Sequence, residues 1–354
     1  MNADDYRGLI IMEQSTLAGY KEDDVEKYQI LATLDHKTSD ICREQDSKVY
    51  DMKKAVTGVN YPPFHPFCRS TTVPYYGDDD LLEETRASKD PVTGKTDGVK
   101  ANMTYEEWHK KYVEGNPKAV LEEKKWKNRH GDKKQYEEYK EKLGSKYLPK
   151  SFDEFQNVKY SDKNEYGVLK AQAKGTTYHN KVVANEPMIT EHVKNVADTV
   201  GMDCVGLEYR IKGKDSYLRK IRSNYSPNGN EYEVKDIIRY TYASSPLDLS
   251  EKTINAIDTH SKLGYNTIEI KNYWMNKRNP YNGINTILRT PDGQPFEVQY
   301  HTPESYKIKD KMHSDYEKWR LIDDKSSKEA QELRKSMFEL SSGMTIPVDI
   351  QKVR

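Results

Sequence analysis

The chain of 354 residues is long enough for two ordinary domains and a connector, because a single core rarely grows beyond about 250 to 300 residues. Its 57 Lys and Arg balance its 57 Asp and Glu, which excludes a global positive field for bulk nucleic-acid binding and makes any electrostatic site local. No run of about 18 apolar residues offers a membrane span, "MNADDYRGLIIMEQ" lacks the regions of a signal peptide, and three cysteines (Cys42, Cys68, Cys204) are too few for a disulfide framework; a cytoplasmic protein with no membrane partner is expected.

The first segment, residues 1–77, closes with "VNYPPFHPFCRSTTVPYYG", in which each proline fixes φ and removes an amide donor, giving a rigid loop before a short strand. Asp35, Cys42, His65 and Cys68 carry groups that ligate Zn²⁺, and the spacing His65-Pro-Phe-Cys68 puts two of them close together. The other reading of the same residues is a Cys and a His buried among Pro62, Pro63 and Phe64. "YQILATLDHKTSDICREQDSKVY" together with "GVNYPPFHPFCRS" resembles the C-terminal module of phage minor head proteins, the Mu F head-morphogenesis family. The resemblance covers about residues 5 to 77 and implies a place in the virion and contacts with portal and capsid proteins. Family members have a longer N-terminal part, so a fragment or a short version starting late in the module is expected, and they often carry a second Cys where this chain has Asp40.

Residues 78–150 read as a connector. "LLEETRASKDPVTGKTDGVKANM" is polar and aperiodic, so low order is expected there. "TYEEWHKKYVEG" and "KQYEEYKEKLG" read as short amphipathic helices ending near glycines, forming a solvated helical spacer.

From residue 151 to 354 strands and helices alternate. "ITEHVKNVADTVGM" sets Ile189, Val193, Val196, Ala197 and Val200 on one helical stripe. "VGLEYRIKG" alternates with a period of two, which predicts a strand with Arg210 and Lys212 on one face. A second strand is expected to begin at Asp236, a helix at "SEKTINAIDTHSKLG", a third strand at "YNTIEIKNYW", then a hairpin turning at Asp292-Gly293, and two closing helices near 304–320 and 327–341. His260 and His313 fall on helices and read as structural. In "PFEVQYHT" the period of two leaves Glu297, Gln299 and His301 opposite Phe296, Val298 and Tyr300, so one face packs and the other presents chemistry. Two cations and two carboxylates on one sheet face suit a Mg²⁺-bound polyphosphate.

"RIKGKDSYLRK", then "DIIRY", then "YNGINTILRTPDGQPFEVQYHT" resembles, in order, the synthetase domain of the RelA/SpoT family, which moves the pyrophosphate of ATP onto a nucleotide 3′-hydroxyl. The resemblance spans about residues 185 to 310. It implies that Arg210 and Lys212 bind the ATP triphosphate with Ser216 and Lys220, that Asp236 holds Mg²⁺, and that Tyr281 stacks on the acceptor base. It further implies that Glu297, in a Glu-x-Gln signature with Gln299, is the second metal ligand and the general base. Arg239 stands in a compressed version of the family's segment, Asn285 replaces a usual His and His301 a usual Arg. These departures lie where the acceptor is handled, so a nucleotide and tRNA both stay open as acceptors. The chain has no His-Asp dipeptide, the mark of the family's hydrolase.

The whole therefore reads as α+β: a small α+β head module (1–77), a helical linker (78–150), and an α/β nucleotidyltransferase-like mixed sheet with flanking helices (151–354). The expected arrangement is that of a polymorphic toxin, an ATP pyrophosphokinase carried by a head protein. Its expected partners are ATP, a nucleotide or tRNA, head proteins and an immunity protein, and its expected places are the host cytoplasm, the virion and a target cell. The rival is a virion structural protein whose second half binds nucleotide, RNA or a head partner without catalysis.

Overall fold

Two units make up the chain, Met1–Glu137 and Glu138–Arg354. The computed structural model describes residues 3–77, 84–227, 229 and 232–354, so the first residues of the expected connector, 78–83, lie outside the described residues. No helix among the described residues is long and apolar enough to cross a membrane.

The first unit opens with α1 (Ala3–Glu22) and an antiparallel sheet in the order β2-β1-β3, built from β1 (Lys27–Leu31), β2 (Val49–Asp51) and β3 (Thr71–Pro74). Between β1 and β2 lies α2 (Asp40–Gln45), capped by Ser39, whose hydroxyl accepts from the Cys42 amide. Tyr28, Ile30, Met52 and Tyr61 form the core beneath the sheet, with the Tyr28 and Tyr61 rings edge-on at 5.2 Å.

Residues expected to be a disordered connector are folded into this unit. β4 (Thr85–Lys89) and β5 (Thr96–Lys100) pair as a hairpin, α3 (Tyr105–His109) follows, and Val99, Tyr105, Trp108, Val113 and Ala119 pack with Leu34 in one cluster. The hairpin shows no apolar alternation because one of its inward positions is polar: the Arg86 guanidinium is buried against the Asp46 carboxylate at 2.9 Å. Of the two expected short helices the first is α3, and the second is the end of one long helix, α4 (Pro117–Leu143), which runs through Gly131 and stops before Gly144 at φ +82°. A glycine inside a helix costs only about 1 kcal/mol against alanine, which the surrounding Lys, Glu and Gln tolerate. The division at 137/138 thus falls inside a helix and at neither expected limit.

The second unit contains α5 (Phe152–Ser161), α6 (Lys163–Ala184), α7 (Glu186–Val200), β6 (Asp203–Val205), α8 (Lys214–Ser223), β7 (Arg239–Ala243), α9 (Leu249–Lys262), β8 (Asn266–Asn272), β9 (Ile284–Arg289), β10 (Pro295–His301), α10 (Pro303–Leu321) and α11 (Lys328–Ser341). Its sheet runs β6-β7-β10-β9-β8, with β10 parallel to β7 and the other pairs antiparallel. Tyr240, Tyr242, Phe296, Val298 and Tyr300 are buried on one face, beside α7 and α9, and the Tyr242 hydroxyl donates to the Val193 carbonyl at 2.7 Å. Each such side chain contributes roughly 1.5–3 kcal/mol by leaving water. The chain is α+β, and this unit is the expected mixed sheet with flanking helices.

Two expected strands differ. The one predicted through Arg210 and Lys212 stops at Val205, because Gly206 at φ +65° turns the backbone into a 3₁₀ turn, and only Ile211 still bridges to Ile238. The strand expected from Asp236 begins at Arg239, which leaves Asp236 in the turn before β7.

Candidate active site

The chemistry-bearing face of the sheet follows from register. Glu297 lies opposite Arg239 on β7 and Ile287 on β9, while Gln299 lies opposite Thr241 and Asn285. β8 adds Glu269 beside Ile287 and Lys271 beside Asn285. These side chains share one face because residues in register project to the same side. Every residue of β10 is buried, so its polar face is covered as well as its apolar one, and part of the cover is α10, whose Lys309 donates to Gln299 Oε1 at 2.7 Å.

At the β8 side the cover ends and a cavity of about 430 Å³ opens. It is lined by Asp236, Glu297, Glu269 and Glu233, by Lys220, Lys235 and Lys271, and by Asn285 and Tyr273. Asp236 is gripped by Lys220 at 2.8 Å and Lys212 at 2.9 Å. Burial pushes its carboxyl up, but the two ammonium groups outweigh burial and hold it below the ordinary range. Glu297 goes the other way: burial raises its carboxyl and the nearby Asp236 charge raises it further. Among the described residues its oxygens accept from neutral amides, Asn285 Nδ2 at 2.9 Å and Gln299 Nε2 at 3.1 Å.

Behind Glu297 the hydrogen bonds continue inward. The Tyr281 hydroxyl meets Asn285 Oδ1 at 2.7 Å and His301 Nε2 at 2.9 Å, and His301 Nδ1 meets Ser305 Oγ at 2.9 Å. Burial holds the His301 ring neutral, its pKa pushed down to about 3.

The structure thus brings together on the cavity Asp236, Glu297, Lys220 and Asn285, with Lys212 joined through Asp236, and Arg239 and Gln299 beside Glu297. Four expected substrate-binding residues lie elsewhere. Arg210 ion-pairs with Glu186 at 2.5 Å, because the turn after Gly206 aims it at the start of α7. Ser216, on α8, accepts from Arg219. His301 is fully buried, and the Tyr281 hydroxyl points inward to it. The aromatic ring on the cavity is Tyr273, edge-on to Tyr281 at 5.1 Å. Neither Tyr273 nor Lys309 is marked by the sequence; the period of "YNTIEIKNYW" shows a strand end but not which ring faces the cavity.

In the first unit Cys42, His65 and Cys68 come together, whereas Asp35 turns away. Its carboxylate accepts from Arg69 at 2.5 and 2.7 Å and from the Lys37 amide, so it is not a fourth member of the cluster.

Residues 8–73 match the family model described as Phage Mu protein F like protein. No curated protein matches the chain. Solved structures similar to it include the Type VI effector Tas1 in complex with its immunity protein, 21% identical, covering 49% of this chain and 94% of that one at a TM-score of 0.34. The small alarmone synthetase 1 from Bacillus subtilis bound to its product pppGpp is 14% identical over 45% of this chain and 87% of that one, TM-score 0.34. A GTP pyrophosphokinase family protein from Streptococcus pneumoniae is 12% identical over 47% and 88%, TM-score 0.35.

Proposed function

We propose that the second unit is an ATP pyrophosphokinase that transfers the β,γ-pyrophosphate of ATP to the 3′-hydroxyl of a nucleotide or of tRNA, carried by a phage head protein in the manner of a toxin. The observation that carries this reading is that Asp236, in the turn before β7, and Glu297, on β10, line one cavity with Lys220, and that the Asp236 charge raises the Glu297 carboxyl.

The donor set fits Mg²⁺: carboxylate oxygens are hard ligands, and Glu297 is a buried carboxylate facing a second negative charge with amides donating to it. Asp236 and Glu297 would hold the ion, which when bound draws charge from the phosphate oxygens. Lys212 and Lys220, already at Asp236, would neutralise the polyphosphate, and Tyr273 would offer its ring to a base. Glu297 would take the proton from the attacking 3′-hydroxyl as its oxygen bonds to the β-phosphorus and the bond to the α,β-bridging oxygen breaks, releasing AMP. Asn285 and Gln299 fix the carboxylate for that step. The same reading makes head proteins and an immunity protein its partners, and the virion and host cytoplasm its places.

The test is the full chain incubated with Mg²⁺ and γ-labelled ATP, offered GDP, GTP, ADP, ATP and bulk tRNA. Label should pass to one acceptor, and Glu297→Gln should lower the rate by about 10²–10⁴-fold while ATP binding persists. No transfer to any acceptor, with ATP still bound, would move the reading to a virion protein that binds nucleotide without catalysis. The docking of Arg210 on Glu186, away from the cavity, favours that second reading.

A further inference from the structure

The first unit holds a cluster that the pyrophosphate chemistry does not use. Cys42 on α2 and Cys68 just before β3 are both buried, and their sulfurs stand 3.7 Å apart. Tetrahedral Zn²⁺ with bonds of about 2.3 Å sets two thiolates about 3.8 Å apart. His65 Nε2 lies 3.2 Å from Cys42 Sγ, and all three donor atoms fall within 4.8 Å of one another.

The tautomer of His65 is fixed by its other nitrogen. Nδ1 stands 2.6 Å from the Pro66 carbonyl, which can only accept, so Nδ1 carries the proton and Nε2 carries the lone pair, facing the Ser39 hydroxyl at 2.7 Å and Cys42 Sγ at 3.2 Å. A ring nitrogen bound to a backbone carbonyl is the usual support of a metal-ligating histidine. The loop between His65 and Cys68 is sharply bent: Phe67 is exposed and takes φ +66°, a conformation that costs a bulky residue about 1–2 kcal/mol, and the Cys68 amide returns to the His65 carbonyl at 3.1 Å. Beside Cys42 and His65 is a cavity of about 20 Å³ lined by Thr33, Thr38, Ser39 and Ser70 and by Lys37 and Arg69, with room for one water.

We propose that Cys42 Sγ, Cys68 Sγ and His65 Nε2 bind one Zn²⁺, with a water held by Ser39 in the fourth position, and that the ion clamps α2 to the loop before β3. Binding displaces the two thiol protons to solvent. The proposal is independent of the reading of the second unit.

The full chain, purified without chelator and reconstituted with zinc, should contain about one Zn²⁺ per molecule, and chelation should lower its melting temperature reversibly. Cobalt(II) in place of zinc should give the visible and near-ultraviolet absorption of a tetrahedral site with thiolate ligands. Cys68→Ser and His65→Gln should lose the ion, and Cys204→Ser should keep it. The cobalt spectrum keeps the test decisive even where a ligand variant does not fold. Protein of normal circular dichroism that takes up well under one equivalent of zinc and shows no cobalt–thiolate bands would overturn the proposal, as would a Cys42–Cys68 disulfide found by mass spectrometry in freshly isolated protein.

Discussion

Lys309 sits where three other polar side chains of the site converge. It donates to Gln299, which donates in turn to Glu297, and burial, helped by Arg239, pulls its ammonium pKa down to about 8. The ammonium is therefore present below about pH 8 and lost above it, while Glu297, raised by burial, is ionised only above the ordinary carboxylate range. Transfer should follow a bell in pH, its alkaline limb near 8 and its acid limb displaced upward, when kcat is measured across pH 5 to 10. Lys309→Arg should carry the alkaline limb to higher pH and Lys309→Met should erase it; a limb unmoved in both variants would remove Lys309 from the mechanism. The sequence conceals this residue among Lys307, Lys309 and Lys311, which differ only in helical phase against β10. Glu297 was legible because a strand's period of two is visible in its letters.

At the scale of elements, what could be read is what alternates. β10, the Asp292-Gly293 turn with Gly293 at φ +88°, α7 and the two closing helices all carry their period or their breaker in the sequence. The β4–β5 hairpin does not, since Arg86 is buried by ion pairing with Asp46 rather than by being apolar. Nor does the end of β6, where a left-handed glycine overrides eight residues of alternation. Gly283, just before β9, is another place where an element depends on a missing side chain: a Cβ there would come within 2.6 Å of His301 Cε1 and 2.8 Å of the Tyr281 hydroxyl. Gly283→Ala should therefore push apart the Tyr281–His301–Asn285 bonds and lower stability by about 1–3 kcal/mol, read as a fall in the denaturant midpoint. An unchanged midpoint would mean that the network shifts at no cost.

For the whole molecule, the buried imidazoles set an acid limit. His260 and His301 are held neutral with pKa values near 3 and His192 near 4, against about 6.5 in an unfolded chain. Between those values the unfolded state binds more protons, so stability rises with pH through the window and is lost as pH falls from about 6.5 toward 3. Glu297 and Glu13, whose carboxyls burial raises, the latter to about 6, oppose this in part. The urea midpoint should be lower at pH 5 than at pH 7.5; equal midpoints would count against three neutral histidines. Length suggests two domains, but nothing in the letters marks a division at 137/138, because α4 carries the same Lys- and Glu-rich letters on both sides of it. One consequence of the sheet order concerns timing. β10 is inserted between β7, which precedes it by two strands and a helix, and β9, so Asp236 and Glu297 meet only after the last strand has docked. A polypeptide held in extended form would carry both carboxylates yet hold no site between them, so the proposed chemistry would be switched on by folding alone.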